Sequence, residues 1–214
     1  MGTVNKMIIS LLIVTAAAYF SWKFAESGGS MTLMYVGVFG GLVAALVTIF
    51  KPQVANISTP IYAALEGLFL GGISAYFNAM IPGIVFQAVG LTFGVAFALL
   101  FAYRTGLIKA TAGFKRGVIV ATGGVAIFYL VSIIGSFFGG GINLFAMGWL
   151  GIGIQLVIVV IAALNLILDF DIIERSAAAG APKAMEWYGA FGIMVTLIWL
   201  YLEILKLLAL LSRR

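Results

Sequence analysis

Three places along the chain put carboxyl groups inside or at the edge of long apolar runs: Glu66, the pair Asp169 and Asp171, and Glu203. An ionisable group in hydrocarbon costs several kcal/mol by insertion scales, so each of these needs a partner or a purpose. Glu66 sits in Ala64-Leu65-Glu66-Gly67-Leu68 with no basic residue within one helical turn. Its partner must be another helix, water or a proton. Asp169 and Asp171 lie in Leu168-Asp169-Phe170-Asp171-Ile172-Ile173-Glu174-Arg175. Two residues apart on a helix is about 200°, so the two cannot face one neighbour. Arg175 follows Asp171 at i+4, a spacing suited to an exposed ion pair, which places Asp171 on the water side. Asn165 precedes Asp169 by one turn and continues a polar stripe into the apolar run, which places Asp169 in the interior.

Glu203 lies 16 residues beyond Trp187, roughly 24 Å along a straight helix. Lys206 at i+3 is either its intrahelical partner or a side chain that snorkels outward. If Glu203 meets a carboxyl of the preceding span, the two titrate as a unit and can sense pH. The same two groups, Asp169 and Glu203, would give calcium only a weak site, because calcium takes six to eight oxygens and water or carbonyls must supply the rest.

The elements that must hold these groups are membrane helices. Of 214 residues 64% are hydrophobic and 9% charged, and such a chain cannot cover a globular surface with polar groups. With no Cys and no His, disulfides, thiolate metal sites and His-dependent triads are excluded. An enzyme is not expected. Runs of about 20 apolar residues, the length that crosses a bilayer, occur seven times: 7–22, 31–50, 61–80, 83–103, 118–138, 144–168 and 187–211. The expected fold is all-α, a polytopic membrane protein, with residues 1–214 forming a single seven-helix transmembrane domain. The first run lacks an A-x-A cleavage pattern and is counted as a helix rather than a signal sequence.

Pro52, Pro60, Pro82 and Pro182 are expected between spans or at a first turn. Glycines within spans, such as Gly37, Gly41, Gly67, Gly71, Gly90, Gly94 and Gly124, predict close helix packing. Gly139-Gly140-Gly141 is a candidate break in a re-entrant segment, and Pro182 to Tyr188 suits a short interfacial helix. Basic residues divide eight against three. Lys6, Lys51, Arg104, Lys109, Lys115, Arg116, Arg175 and Lys183 fall on one face, and Lys23, Arg213 and Arg214 on the other. By the positive-inside rule the N-terminus is inside and the C-terminus outside. Short loops and the absence of Cys suit a bacterial inner membrane.

The last two spans resemble the transmembrane Bax inhibitor motif family, in particular its bacterial YccA-like members. The sixth helix of that family ends in an aromatic-Asp pattern, to which Phe170-Asp171 or Leu168-Asp169 is similar. Its seventh carries Leu-Asp in an aromatic and leucine-rich run, to which Leu200-Tyr201-Leu202-Glu203-Ile204-Leu205 is similar, with Glu in place of Asp. The aromatic match favours Asp171 as the sensor, and the helical face favours Asp169.

The resemblance implies six helices around a central C-terminal helix, and a pH-sensitive calcium leak channel gated by protonation of an intramembrane carboxyl pair. It also implies a basic residue near the start of the third helix that engages the pair, for which Lys51 is the nearest candidate. Calcium is then the permeant ion rather than a resident cofactor. The expected partners are the bilayer, Ca2+ and protons, with no nucleic acid. A proton-coupled secondary transporter and a non-conducting membrane scaffold are the alternatives. The residues that carry the pathway are Asp169, Asp171, Glu203 and Glu66.

Overall fold

The computed structural model describes residues 2–29 and 32–212. Arg213 and Arg214, two of the three outer-face cations, and Met31, the start expected for the second span, lie outside them. Among the described residues seven α-helices follow one another: α1 (Thr3–Glu26), α2 (Thr32–Phe50), α3 (Ala55–Met80), α4 (Ile84–Arg104), α5 (Ala112–Phe137), α6 (Trp149–Ala178) and α7 (Lys183–Ser212). There is no strand among the described residues. All seven are long and apolar enough to cross a membrane. Large apolar side chains such as Phe39, Phe86, Phe101, Val120 and Phe137 are exposed, which is the outer surface that lipid requires. The protein is an integral, multi-pass membrane protein. Its last helix is the most enclosed, with 67% of its apolar window buried against 11–39% in the other six.

Helix ends follow capping chemistry more closely than hydropathy. The Thr111 hydroxyl accepts from the Phe114 N–H at 3.2 Å and starts α5, as an N-cap should. At the other end of α5, Gly139 takes φ +77° and the Gly140 N–H bonds back to the Gly135 carbonyl. The three glycines therefore terminate a helix instead of breaking a re-entrant segment. The segment from Pro182 to Tyr188 is not a separate interfacial helix, because α7 runs unbroken from Lys183. Pro60 also departs from expectation and lies inside α3. The polar residues Asn56, Ser58 and Thr59 hid the true start of this helix, which follows a single 3-10 turn at Pro52–Val54. Being just past the first turn, Pro60 removes only one intrahelical hydrogen bond.

Contacts divide the chain into two compact units, Met1–Val85 with Ile172–Val195, and Phe86–Asp171 with Thr196–Arg214. In the first unit α3 packs on α1 and α2 through glycine. A methyl built on Gly71 would stand 2.2 Å from the Ala18 carbonyl oxygen, and one on Gly67 would stand 2.5 Å from that of Val14. Gly37 of α2 is as close to the backbone of Leu65 and Phe69. The Ser21 hydroxyl uses this proximity to donate to the Leu68 carbonyl at 2.7 Å. Lys6 of α1 is buried, forms an ion pair with Glu186, and donates to the Lys183 carbonyl at 3.2 Å. The second unit uses glycine differently. A methyl on Gly90, Gly94, Gly123 or Gly124 would meet nothing within 4 Å, so for them the close-packing expectation fails.

Candidate functional site

The deepest acid, Glu203, is 1% exposed and is surrounded by donors. Its Oε2 accepts from the Tyr129 hydroxyl and from the Gln155 amide nitrogen, each at 2.7 Å. Its Oε1 accepts from the Lys206 ammonium at 3.0 Å and the Trp199 indole N–H at 3.1 Å. Gln155 also donates to the Glu203 carbonyl at 2.9 Å, and Lys206 stands 4.7 Å from the centre of the Tyr129 ring. Three helices thus converge on one carboxylate: α5 through Tyr129, α6 through Gln155 and α7 itself. The i+3 spacing to Lys206 is an intrahelical pair.

This arrangement corrects the expected carboxyl pair. Asp169 meets Thr196, whose hydroxyl donates to it, and Thr196 precedes Glu203 by two turns of α7. The lone pairs of Glu203 are filled by donors that include a cation, so a calcium site made jointly with Asp169 would lack open oxygens and be opposed by Lys206. Among the described residues no three acidic side chains come together in a form that could hold a metal ion.

Asp169 has a buried Oδ2 with no hydrogen-bond partner among the described residues. Asn165, expected to share its stripe, turns instead to α5 and donates to the Thr122 hydroxyl at 2.8 Å. Asp171, expected on the water side, is only 8% exposed and forms an ion pair with Lys115 of α5. Lys115 brings this counter-charge from a crossing helix, which the i+4 spacing to Arg175 did not reveal. Lys115 is thus a cation that engages Asp171 from another helix. Lys51, the latch implied by the family resemblance, is exposed at the turn before Pro52–Val54. Glu66 belongs to the first unit. The Tyr62 hydroxyl one turn earlier donates to it, and Gly41 of α2 leaves room for it, since a methyl there would stand 2.9 Å from its Oε1.

Sequence reasoning missed Gln155, Tyr129 and Trp199, and read Lys115 as a topology signal or part of a basic cluster for anionic lipid headgroups rather than as a partner of Asp171. Gln155 is a lone amide in the apolar run Gly153-Ile154-Gln155-Leu156, and a polar group so placed asks for a cross-helix partner. That signal was available. The Glu203 network also has a consequence for stability. Removing one partner of a buried pair leaves an uncompensated charge, although here Lys206 is one third exposed and three neutral donors remain. Lys206→Met is expected to cost about 2 kcal/mol, well below the cost at a sealed site. Combined with Glu203→Gln, it should cost less than the sum of the two single changes. Denaturation of the detergent-solubilised protein measures all three, and strict additivity would mean that the pair is not coupled.

No individual curated protein matches the chain. Over residues 1–213 it matches the family described as Bax inhibitor 1 like, and it belongs to that family.

Proposed function

We propose that this membrane protein is a passive pathway for cations, calcium among them, opened and shut by protonation of the carboxyls near the end of α6. The observation that carries this reading is Asp169. One of its oxygens is buried without a donor among the described residues, two residues from an acid already neutralised by Lys115. A buried oxygen in that condition is costly unless something occupies it, and water, a proton or a passing cation would each do so. Conduction favours such weak, incomplete coordination, since an ion must leave as well as enter. Glu203, held by four donors, serves in this proposal as a fixed support rather than as the titrating group. The protein is further proposed to act in a bacterial inner membrane with its N-terminus inside, on the strength of its basic-residue distribution, and without enzymatic chemistry.

The test is calcium entry into liposomes containing the purified chain, measured across a pH series. The parent is expected to show a rate that varies with pH. Asp169→Asn, which cannot exchange a proton, is expected to flatten that variation, whereas Glu203→Gln keeps its shape. Retained pH dependence in Asp169→Asn would remove this residue from the role. Saturable uptake that collapses with a proton uncoupler would replace the leak with a coupled transporter.

A further inference from the structure

Between the two polar levels of the second unit α6 carries one polar side chain, Asn165, which turns to Thr122 of α5; the rest of that stretch is apolar. Gln155, Ala162 and Asp169 follow at seven-residue intervals on α6 and so share a face, with Ile158 and Leu166 one turn to either side of Ala162. On α7, Leu200 falls between Thr196 and Glu203. Two contacts fix how the helices meet: Gln155 on Glu203 at one end, and Asp169 on Thr196 at the other. The residues between them are sealed. Ile158 is 3% exposed, and Ala162, Leu166 and Leu200 are 0% exposed.

Each end of this apolar stretch carries a bare oxygen. Asp169 Oδ2 and Gln155 Oε1 are both buried with no hydrogen-bond partner among the described residues. Two unmet acceptors on one helix face are positions that water or a cation would satisfy. The apolar side chains between them offer nothing to replace an ion's hydration shell.

We infer that Ile158, Ala162, Leu166 and Leu200 form the shut gate of the protein, a dry layer separating two oxygen stations at Asp169 and Gln155. The inference rests on the cation-pathway reading and adds the barrier to it. Thr196 and Glu203 are seven residues apart on α7 and Gln155 and Asp169 fourteen apart on α6, so the layer is about 10–20 Å thick along the helices. An apolar constriction of that kind excludes water, and an ion cannot cross it while hydrated. Side chains set the barrier, so one hydroxyl within the layer should admit water.

The experiment is calcium entry into liposomes carrying the full chain, at the pH where the parent leaks least, with an entrapped large dye to report membrane lesions. Leu200→Ser is expected to raise the rate tenfold or more and Ala162→Ser severalfold, with the dye retained. Leu200→Met, which conserves volume and apolarity, is expected to match the parent. If Leu200→Ser does not fold, Ala162→Ser decides alone, since it adds a single oxygen. A parent that conducts in a pH-dependent way while both serine variants keep its minimum rate would overturn the gate and leave the cation pathway standing. Absence of flux from the parent and the variants at every pH would overturn both. Serine variants that conduct where the parent never does would support the gate and overturn control by pH. Loss of the large dye would also overturn it, because the leak would then not pass through a narrow layer.

Discussion

Gly71→Ala is expected to lower the melting temperature of the detergent-solubilised protein by about 6–12 °C, from a loss of about 3 kcal/mol at roughly 2–4 °C per kcal/mol. The added methyl would lie 2.2 Å from the Ala18 carbonyl oxygen and 2.8 Å from the Ser21 side chain. Neither obstacle is the loose end of a flexible side chain. The carbonyl belongs to the backbone of α1, so α1 must move away from α3 as a body. That movement also strains the hydrogen bond from Ser21 to the Leu68 carbonyl and the neighbouring contact of Gly67 with Val14. In lipid, where apolar burial adds little between helices, close backbone approach is the main source of association, and its loss is felt directly. Gly90→Ala and Gly94→Ala are the matching controls, because a methyl at either position meets nothing within 4 Å. They should leave stability within about 0.5 kcal/mol. Equal losses in all three variants would mean that helix propensity or expression, rather than the α1–α3 contact, sets the outcome.

These two groups of glycines show where the sequence was legible and where it was not. Hydropathy reveals a span because bilayer thickness constrains its length, and all seven runs became helices. It cannot reveal which face of a helix has a neighbour, so Gly71 and Gly90 look alike in sequence and differ completely in contact. The ends were hidden for another reason. Polar residues such as Asn56 and Ser58 are counted against a span, yet a helix continues through them when its backbone bonds are satisfied.

The acids divide in the same way. Their depth could be read from position, and so could the i+3 pairing of Glu203 with Lys206. Partners on other helices could not, because nothing local links Glu203 to Tyr129, 74 residues away, or Asp171 to Lys115, 56 residues away. Helical geometry correctly separated Asp169 from Asp171. It did not follow that only one of them could face protein, because two different helices, α5 and α7, receive them.

Lys115→Met is expected to move the pH profile of calcium entry to higher pH by about one unit, while Lys51→Met and Lys109→Met leave it in place. Lys115 is in the first turns of α5, after the Thr111 cap, where the helix dipole disfavours a cation. The ion pair with Asp171 offsets that penalty and holds the lysine against that carboxylate. Removing the positive charge takes a counter-charge from beside Asp171, two residues from Asp169. Loss of a nearby positive charge favours proton uptake, which sets the direction of the move, and a change of this kind is worth about one unit. The direction holds whether protonation opens or shuts the pathway, since it concerns the midpoint alone. Lys51 and Lys109 are exposed, and an exposed charge is screened by solvent and salt. An unshifted midpoint in Lys115→Met would separate the ion pair from gating, and a shift in Lys51→Met instead would return the latch to the position implied by the family resemblance. If Lys115→Met shifts the midpoint and Asp169→Asn abolishes the variation, one carboxyl takes the proton while its neighbour's counter-ion sets the pH at which it does so.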